Sequence, residues 1–347
     1  MRSRDVVELL LLSLLWGAAY LFMRAAVPAF GPAPLVALRL GLAALILLPI
    51  MVLRGGIPEL LAHPRQLLIL GIPYTALPFM LLGYASLHLT AGLIAVLNAT
   101  APLFAALIAH FLLKERLGRA RAWGLCIGFV GVAVLMWGSG SFKSNSGMLA
   151  VLAVLCTSLS WGLGAHYARK HLPSVDVMVM TVGSLTAASV FLAPFAVASW
   201  PAENPGARAW AELAFLGVAS SGLGFLLYFR LLRRIGPVRA MSVTFLNPVV
   251  ALASGALYLG EQVTLQMVFG GAVVLLGTVT DGGGDETEEV GSTTGGSTAS
   301  VPELEHPVIT STTAAVTAAV RAAVTVAPRR DVTSRSADRS SRGASWA

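Results

Sequence analysis

The sequence predicts an all-α, polytopic membrane protein with ten transmembrane helices, arranged as two inverted five-helix repeats and followed by a disordered C-terminal tail. Its composition, a succession of uncharged segments and a pattern that occurs twice all indicate this fold class. Of the 347 residues, 56% are apolar and 12% are charged, whereas soluble domains carry about 25% charged residues. The mean hydropathy of +0.77 likewise favours a chain solvated by lipid.

Uncharged stretches follow one another through the first 280 positions. Most have the length of about 20 residues at which a helix crosses the hydrocarbon core of a bilayer. The ninth and tenth stretches are the least separated, because only Gly260 to Gln262 lie between them. The predicted spans are residues 6–26, 33–53, 66–88, 91–112, 120–138, 147–169, 175–199, 209–232, 237–259 and 263–280.

Two sets of residues recur along the chain at a nearly constant separation. The first set recurs after 145 positions and the second after 146, so one inserted residue reconciles them. We therefore expect a first five-helix repeat at residues 6–138 and a second at residues 147–280. The recurring pairs include Trp16-Gly17 with Trp161-Gly162, Arg24 with Arg169, Pro102 with Pro248, Glu115 with Glu261, and Gly131 with Gly277.

An odd number of crossings in each repeat would place the two repeats upside-down relative to each other. Inverted repeats of this kind are typical of secondary transporters. The composition changes abruptly at about Asp281, where an acidic, Gly-rich segment gives way to Ser, Thr, Gly and Ala. Residues 281–347 bury too little apolar surface to offset the entropy of ordering, so we expect a disordered cytoplasmic tail.

The net charge of +7 could suggest a nucleic-acid partner, but the placement of the basic residues favours a membrane topology. With a cytoplasmic N-terminus, fourteen basic residues fall on the inward-facing segments and three on the outward-facing ones. This bias predicts that both termini are cytoplasmic, in a multi-pass protein of the cell membrane. No aromatic-basic interleaving accompanies the charge, so we expect no nucleic-acid partner. The inward-facing residues are Arg2, Arg4, Arg54, Arg65, Lys114, Arg116, Arg119, Arg121, Arg169, Lys170, Arg230, Arg233, Arg234 and Arg239, against Arg24, Lys143 and Arg208 outside.

Arg2 and Arg4, followed by the apolar run Leu9–Leu15, also resemble the start of a secretory signal. Residues 13–28, however, match residues 158–173 in the repeat. A leader that is removed would have no reason to share a pattern with an internal helix. We therefore expect the segment to be retained.

No motif for catalysis, cofactor binding or metal binding occurs in the sequence. The six histidines are scattered, and neither a phosphate-binding Gly-rich loop nor a nucleophile elbow is present. Cys126 and Cys156 fall within predicted spans, where we expect them to be buried as small packing residues. The sequence thus predicts no enzyme, no cofactor and no metal site.

With these motifs in place, residues 6–280 resemble the ten-helix, EamA-type branch of the drug/metabolite transporter superfamily. The resemblance rests on the early Trp-Gly of each half and on two proline blocks, Ala101–Leu107 and Asn247–Leu252, each followed by a glutamate. It implies an alternating-access secondary transporter, often an exporter, of small organic metabolites, amino acids or drugs, with both halves around a central cavity. Many such families place a carboxylate directly before the repeated proline, where this chain has Ala101 and Asn247. We therefore expect no carboxylate-based proton relay at these two positions.

Arg39 is the most unusual polar residue, since it lies seven residues into the second predicted span with apolar neighbours on both sides. A central arginine costs several kcal/mol, about 2.5–3.5 on translocon scales. It could hold an anionic group of the substrate. Alternatively, it reaches the headgroups or pairs with backbone carbonyls at a helix break.

Two further groups are candidates for the substrate pathway. A proline leaves the carbonyl four residues earlier without its helical partner. In both halves polar side chains lie next to this proline, so they could contact the substrate. Alternatively, they form hydrogen bonds between helices. The aromatic candidates could instead mark membrane interfaces. The first group is Asn98, Thr100 and Pro102 with Thr244, Asn247 and Pro248; the second is Trp16, Tyr20, Tyr84, Trp161 and Tyr228.

The remaining candidates concern gating and energy coupling. Pro73 and Pro78 are expected to kink the third span. Glu115 and Glu261 lie at turns, where we expect them to satisfy helix-end groups or pair with arginines. Glu8 is either a solvated helix-end charge, which we favour, or a peripheral proton site. A channel-like or lipid-translocating protein is the alternative function, and both a monomer and a homodimer are compatible with the sequence.

Overall fold

The computed structural model describes residues 3–113, 119–136, 145–236, 240 and 243–282. Within these residues the chain is helical and contains no strand. The predicted tail lies outside the described residues from position 283 onwards, and so does Glu115.

The described helices divide into two groups of similar order. The first group comprises α1 (Ser3–Phe30), α2 (Pro32–Leu53), α3 (Ile57–Ala62), α4 (Pro64–Gly71), a π-helical turn (Ile72–Ala76), α5 (Leu77–His88), α6 (Ala91–Asn98), α7 (Ala101–Leu113) and α8 (Arg119–Met136). The second comprises α9 (Asn145–His171), α10 (Val177–Ala198), α11 (Gly206–Ala214), a π-helical segment (Phe215–Leu223), α12 (Gly224–Ile235), α13 (Val243–Leu259) and α14 (Leu265–Gly282).

Seven helical stretches within the described residues are long and apolar enough to cross a membrane. They coincide with the predicted spans one to four and six to eight. The fifth, ninth and tenth predicted spans coincide with the shorter apolar helices Ala122–Leu135, Val243–Leu259 and Leu265–Leu276. These seven helices indicate an integral membrane protein. The total of ten transmembrane helices stays a prediction.

Equivalent helices of the two groups pack against each other. The bounds of α2 plus 145 are those of α10, and the bounds of α8 plus 146 are those of α14. Helix α2 packs along α10, and α8 packs along α14. The contacts of α1 with α13 have a counterpart in those of α9 with α7. This reciprocal packing is what a two-fold relation between the halves would produce.

The glycine of the repeated Trp-Gly motif lies where two helices approach closely. A Cβ atom on Gly17 would overlap Val250 of α13, and one on Gly162 would lie 3.1 Å from the backbone nitrogen of Ala105 in α7. Small residues allow this approach in membrane helices, where close van der Waals contact drives association. The motif is thus a packing site in both halves.

The irregularity expected at Pro73 and Pro78 is a π-helical turn between α4 and α5. Hydroxyl groups of α9 satisfy carbonyls there: Ser160 Oγ donates to the carbonyl of Pro73 at 2.6 Å, and Thr157 Oγ1 donates to that of Pro78 at 3.2 Å. Such bonds are what the membrane interior requires of an interrupted helix. The corresponding segment of the second half is also π-helical although it contains no proline.

The expectation that both cysteines are buried is wrong. Cys126 and Cys156 are exposed on the outer surface of their helices. Leu125 before Cys126 and Val154 before Cys156 are buried, and the helical rotation of about 100° per residue carries each cysteine to the outer face. In a lipid-solvated protein an apolar thiol is stable on either face, so composition alone did not determine its direction.

Candidate substrate-binding cavity

A cavity of about 450 Å³ lies among helices of both halves. Its volume falls within the range of about 300–1,000 Å³ that is usual for small-molecule sites. The wall is contributed by α1, α2, α5, α6 and α7 from the first half, by α9, α10, α12 and α13 from the second, and by both π-helical segments. The interrupted helices therefore border the cavity, as in transporters whose sites are formed by discontinuous helices.

Eight of the twelve predicted pathway residues lie on the cavity wall, and four do not. Those on the wall are Trp16, Tyr20, Arg39, Asn98, Pro102, Trp161, Thr244 and Asn247. The other four are Tyr84, Thr100, Tyr228 and Pro248.

Arg39 is buried, with 7% of its surface exposed, and its guanidinium faces the cavity. Nε donates to Ser221 Oγ at 3.1 Å, and Nη1 lies 3.7 Å from Met23 Sδ. The guanidinium carbon lies 4.7 Å from the centre of the Phe79 ring, a cation–π contact. The alternative that Arg39 reaches the headgroups is wrong, because the side chain is enclosed by α1, α5 and the second π-helical segment. Within the described residues no carboxylate lies within ion-pair distance of it.

Asn98 connects three helices at the end of α6. Its Nδ2 donates to Tyr20 Oη at 2.8 Å, and Ser158 Oγ of α9 lies 3.5 Å from its Oδ1. Thr100 instead serves the helix break: it is fully buried, and its Oγ1 donates to the carbonyl of Leu97 at 2.7 Å. Thr100 therefore caps a local irregularity and does not reach the cavity.

The two proline blocks have different conformations. Helix α6 ends at Asn98 and α7 begins at Ala101, so the chain is interrupted just before Pro102. Helix α13 continues through Pro248, which is buried and does not line the cavity. The two blocks thus occupy equivalent positions in the order of the helices, as the sequence predicts, but their backbone conformations differ.

Two buried polar atoms on the cavity wall have no hydrogen-bond partner in the described protein. They are Oδ1 of Asn247 and Oγ of Ser220. Leaving such an atom unsatisfied costs about 1–3 kcal/mol. Both residues line the cavity, and although the two atoms themselves are buried, rotation of the side chains would turn them towards a solute or water within it.

Aromatic rings form the apolar part of the wall. Trp16 packs edge-on against Phe225 with the ring centres 5.9 Å apart, and its Nε1 donates to the carbonyl of Ser220 at 3.1 Å. Trp161 packs in the same way against Phe79, also at 5.9 Å. Tyr228 lies behind Trp16, with ring centres 5.4 Å apart, and so supports the wall without lining it.

Tyr84 lies away from the cavity and packs against His88 one turn later, with ring centres 4.8 Å apart. Several residues that line the cavity were not predicted from the sequence, among them Met23, Phe79, Ser220, Ser221 and Phe225. The adjacent serines in an apolar run were a signal that could have been used. The others are ordinary apolar residues of a span, so only packing distinguishes them.

Unlike Arg39, the side chains that form ion pairs in the described residues lie near helix ends and outside the cavity wall. Glu8 is buried at 8% exposure and pairs with Arg230 at 2.9 Å and Arg234 at 2.6 Å. The favoured expectation of a solvated charge at Glu8 is therefore wrong, because α12 brings two arginines onto it. Glu261 pairs with Arg24 at 2.9 Å and accepts the backbone N–H of Ala91, as expected for a residue that satisfies a helix end.

The sequence profile of the EamA-like transporter family matches residues 6–137 and 148–280, one copy over each half of the chain. The chain belongs to this family. The matched residues include every wall residue of the cavity. The cavity is therefore formed entirely by the residues that the family profile matches.

Curated relatives are named as transporters. "Uncharacterized transporter YoaV" of Bacillus subtilis is 28% identical over 57% of this chain and 68% of its own length. A "Probable terminal-alkyne amino-acid exporter" of Streptantibioticus cattleyicolor is 27% identical over 80% of this chain and 93% of its own. One solved crystal structure shares the fold with a TM-score of 0.60 at 19% identity, over 81% of this chain and 98% of that one.

Proposed function

We propose that this protein is a secondary transporter, most simply an exporter, of small organic solutes that carry an anionic group. The observation that supports this most directly is Arg39, a buried cation on the cavity wall with no carboxylate partner in the described residues. A buried charge is stable only when it is paired or well hydrogen-bonded. A solute carboxylate in the cavity would supply that counter-charge.

The rest of the wall narrows the proposed substrate to amphipathic, amino-acid-like molecules. The rings of Trp16, Trp161 and Phe225 offer an apolar surface for a side chain. The free acceptor on Asn247 suits an ammonium group, which has only donors. The relative named as an amino-acid exporter supports the same substrate class.

The proposed mechanism is alternating access between two inverted repeats, residues 6–138 and 147–280. The reciprocal packing of α2 with α10 and of α8 with α14 supports this arrangement. The proposal includes five crossings per repeat and, from the positive-inside bias of the sequence, cytoplasmic termini. Within the described residues no aspartate or glutamate lines the cavity. The proposal therefore includes solute exchange or facilitated movement and no proton relay through a cavity carboxylate.

Counterflow into proteoliposomes, with a panel of amino acids and other small solutes, tests the proposal. We expect saturable exchange of at least one carboxylate-bearing solute. Exchange should be abolished by Arg39→Leu and reduced by Arg39→Lys, which keeps the charge without the planar fork. The control is Arg65→Gln, which removes an exposed arginine outside the cavity.

Three outcomes would contradict the proposal. Normal kinetics in Arg39→Leu would remove Arg39 from the substrate site. Unsaturable, conductive flux would indicate a channel. Movement of labelled phospholipid without solute exchange would indicate a lipid-translocating protein.

A further inference from the structure

A second concave surface lies between α1, α2, α10 and α12, outside the cavity described above. It is a groove of about 500 Å³. Its lining is apolar along most of its length and basic at one end. The lining residues are Leu11, Leu15, Ile50, Arg54, Met178, Leu223, Leu226, Leu227, Phe229, Arg230 and Arg233.

The groove has the depth of one membrane leaflet. Its wall along α12 and the last residue of the preceding π-helical segment extends from Leu223 to Arg233, which is about 15 Å at the helical rise of 1.5 Å per residue. The hydrocarbon core of a bilayer is about 30 Å thick, so the groove covers about half of it. Leu223 and Leu11 are 48% and 45% exposed, so this surface is open to the acyl region.

All three arginines of the groove lie at the same end. Arg54 is the C-terminal cap of α2, and Arg230 and Arg233 lie in the last turns of α12. Arg230 and Arg233 each pair with one carboxylate, Glu8 and Asp176, but their side chains remain 49% and 61% exposed. Arg54 donates to Met178 Sδ at 3.9 Å and has no carboxylate within ion-pair distance in the described residues. No acidic side chain of the described chain lines the groove.

We propose that this groove binds one anionic phospholipid from the leaflet on the basic side. Its acyl chains would lie against the leucines, and its phosphate would lie at Arg54, Arg230 and Arg233. Guanidinium groups bind phosphate through two parallel hydrogen bonds. The three arginines at the basic end of the groove are therefore suited to a lipid phosphate. The apolar length of the groove favours a lipid over free phosphate, since a small anion would leave it empty.

Native mass spectrometry of the full-length protein in detergent, titrated with phosphatidylglycerol or phosphatidylcholine, tests the headgroup contact. We expect one phosphatidylglycerol to bind in preference to phosphatidylcholine. Arg54→Gln should weaken phosphatidylglycerol binding about fivefold, the change that ~1 kcal/mol per basic side chain near the surface corresponds to. Arg65→Gln, which changes an exposed arginine outside the groove, should leave binding unchanged.

Two leucines of the same helix test the acyl contact. Leu11→Trp should fill the groove and lower the binding of phosphatidylglycerol, whereas Leu14→Trp, on an exposed position outside the groove, should not. Melting temperatures of the four variants identify any that fail to fold. Equal binding of both lipids, equal loss in both leucine variants, or displacement of the lipid by millimolar inorganic phosphate would each overturn the proposal.

Discussion

At the scale of single residues, the cavity shows how polar groups that are costly in lipid are arranged. Arg39 is held by one hydroxyl, one sulfur and one aromatic ring, and none of these neutralises its charge. Asn247 adds a carbonyl oxygen and Ser220 a hydroxyl group to the same wall, and neither has a partner in the described protein. Groups left without protein partners beside a cavity can turn towards a ligand, whereas fully bonded groups such as Thr100 maintain the fold.

Ser220→Ala tests this distinction. Because Ser220 Oγ is buried and has no partner in the described protein, its removal should not lower the melting temperature and should raise it if the penalty for the unsatisfied hydroxyl is relieved. If the oxygen bonds to solute, KM should rise roughly two- to twelvefold, which corresponds to about 0.5–1.5 kcal/mol for one hydrogen bond. The matched control is Ser189→Ala, which breaks a bond to the carbonyl of Ala37 at 2.9 Å and should lower stability without changing KM. Identical behaviour of the two variants would contradict the role of Ser220.

At the scale of helices, long-range pairs fix how elements meet at their ends. Glu261 follows α13, pairs with Arg24 of α1 and accepts the first backbone N–H of α6. One carboxylate thereby connects three elements and satisfies a helix N-terminus, where a negative charge is also favourable. The pair of Arg208 with Glu212 lies within α11 and connects no other element.

Arg24→Gln should therefore destabilise the protein more than Arg208→Gln. Both substitutions leave a carboxylate that is 9% exposed, but Arg24 is 30% exposed and Arg208 is 81% exposed. We expect a loss of about 1–3 kcal/mol for the partly buried interhelical pair and under about 0.5 kcal/mol for the exposed pair. Thermal unfolding in detergent measures both. Equal losses would show that the interhelical pair adds no stability of its own.

The glycine crossings make a second prediction at this scale. Gly17→Val should separate α1 from α13, because its side chain would overlap Val250. Overpacking of this kind costs about 1–3 kcal/mol. Ala18→Val adds similar volume at the next, partly exposed position and serves as the control. Size-exclusion chromatography and melting temperature would show the difference, and an unperturbed Gly17→Val variant would contradict the close approach.

At the scale of the whole molecule, the helices of the two halves pack against each other and form the cavity between them. Helices α1 and α9, which carry the two Trp-Gly motifs, each contact the proline-block helix of the opposite half. As a result, Trp16 and Trp161 both reach one cavity although they are 145 positions apart. The same arrangement underlies the proposed alternating movement of the repeats.

The proposed inversion requires an even total number of crossings. After replacement of Cys126 and Cys156 by alanine, single cysteines at Ser3 and Thr287 should react with an impermeant maleimide on the same face of the membrane. A cysteine at Glu203, in the connection between α10 and α11, should react on the opposite face. Reaction of the two terminal positions on opposite faces would refute the inversion and the carrier mechanism derived from it.

The sequence by itself determined the features that are encoded along one dimension. Helix type and the bounds of α2 and α10 follow from the length and composition of apolar segments, and the repeat follows from self-similarity. It also identified Arg39 as unusual, because a charge in an apolar run is visible without a structure.

Only the tertiary structure decided what surrounds these residues. Arg39 meets Ser221 across 182 positions, and Glu8 meets Arg234 across 226. The outward direction of Cys126 and the position of Tyr84 away from the cavity were likewise not predictable. The physical reason is that lipid tails are as apolar as the helix interfaces, so hydrophobicity does not determine which face of a membrane helix packs inward.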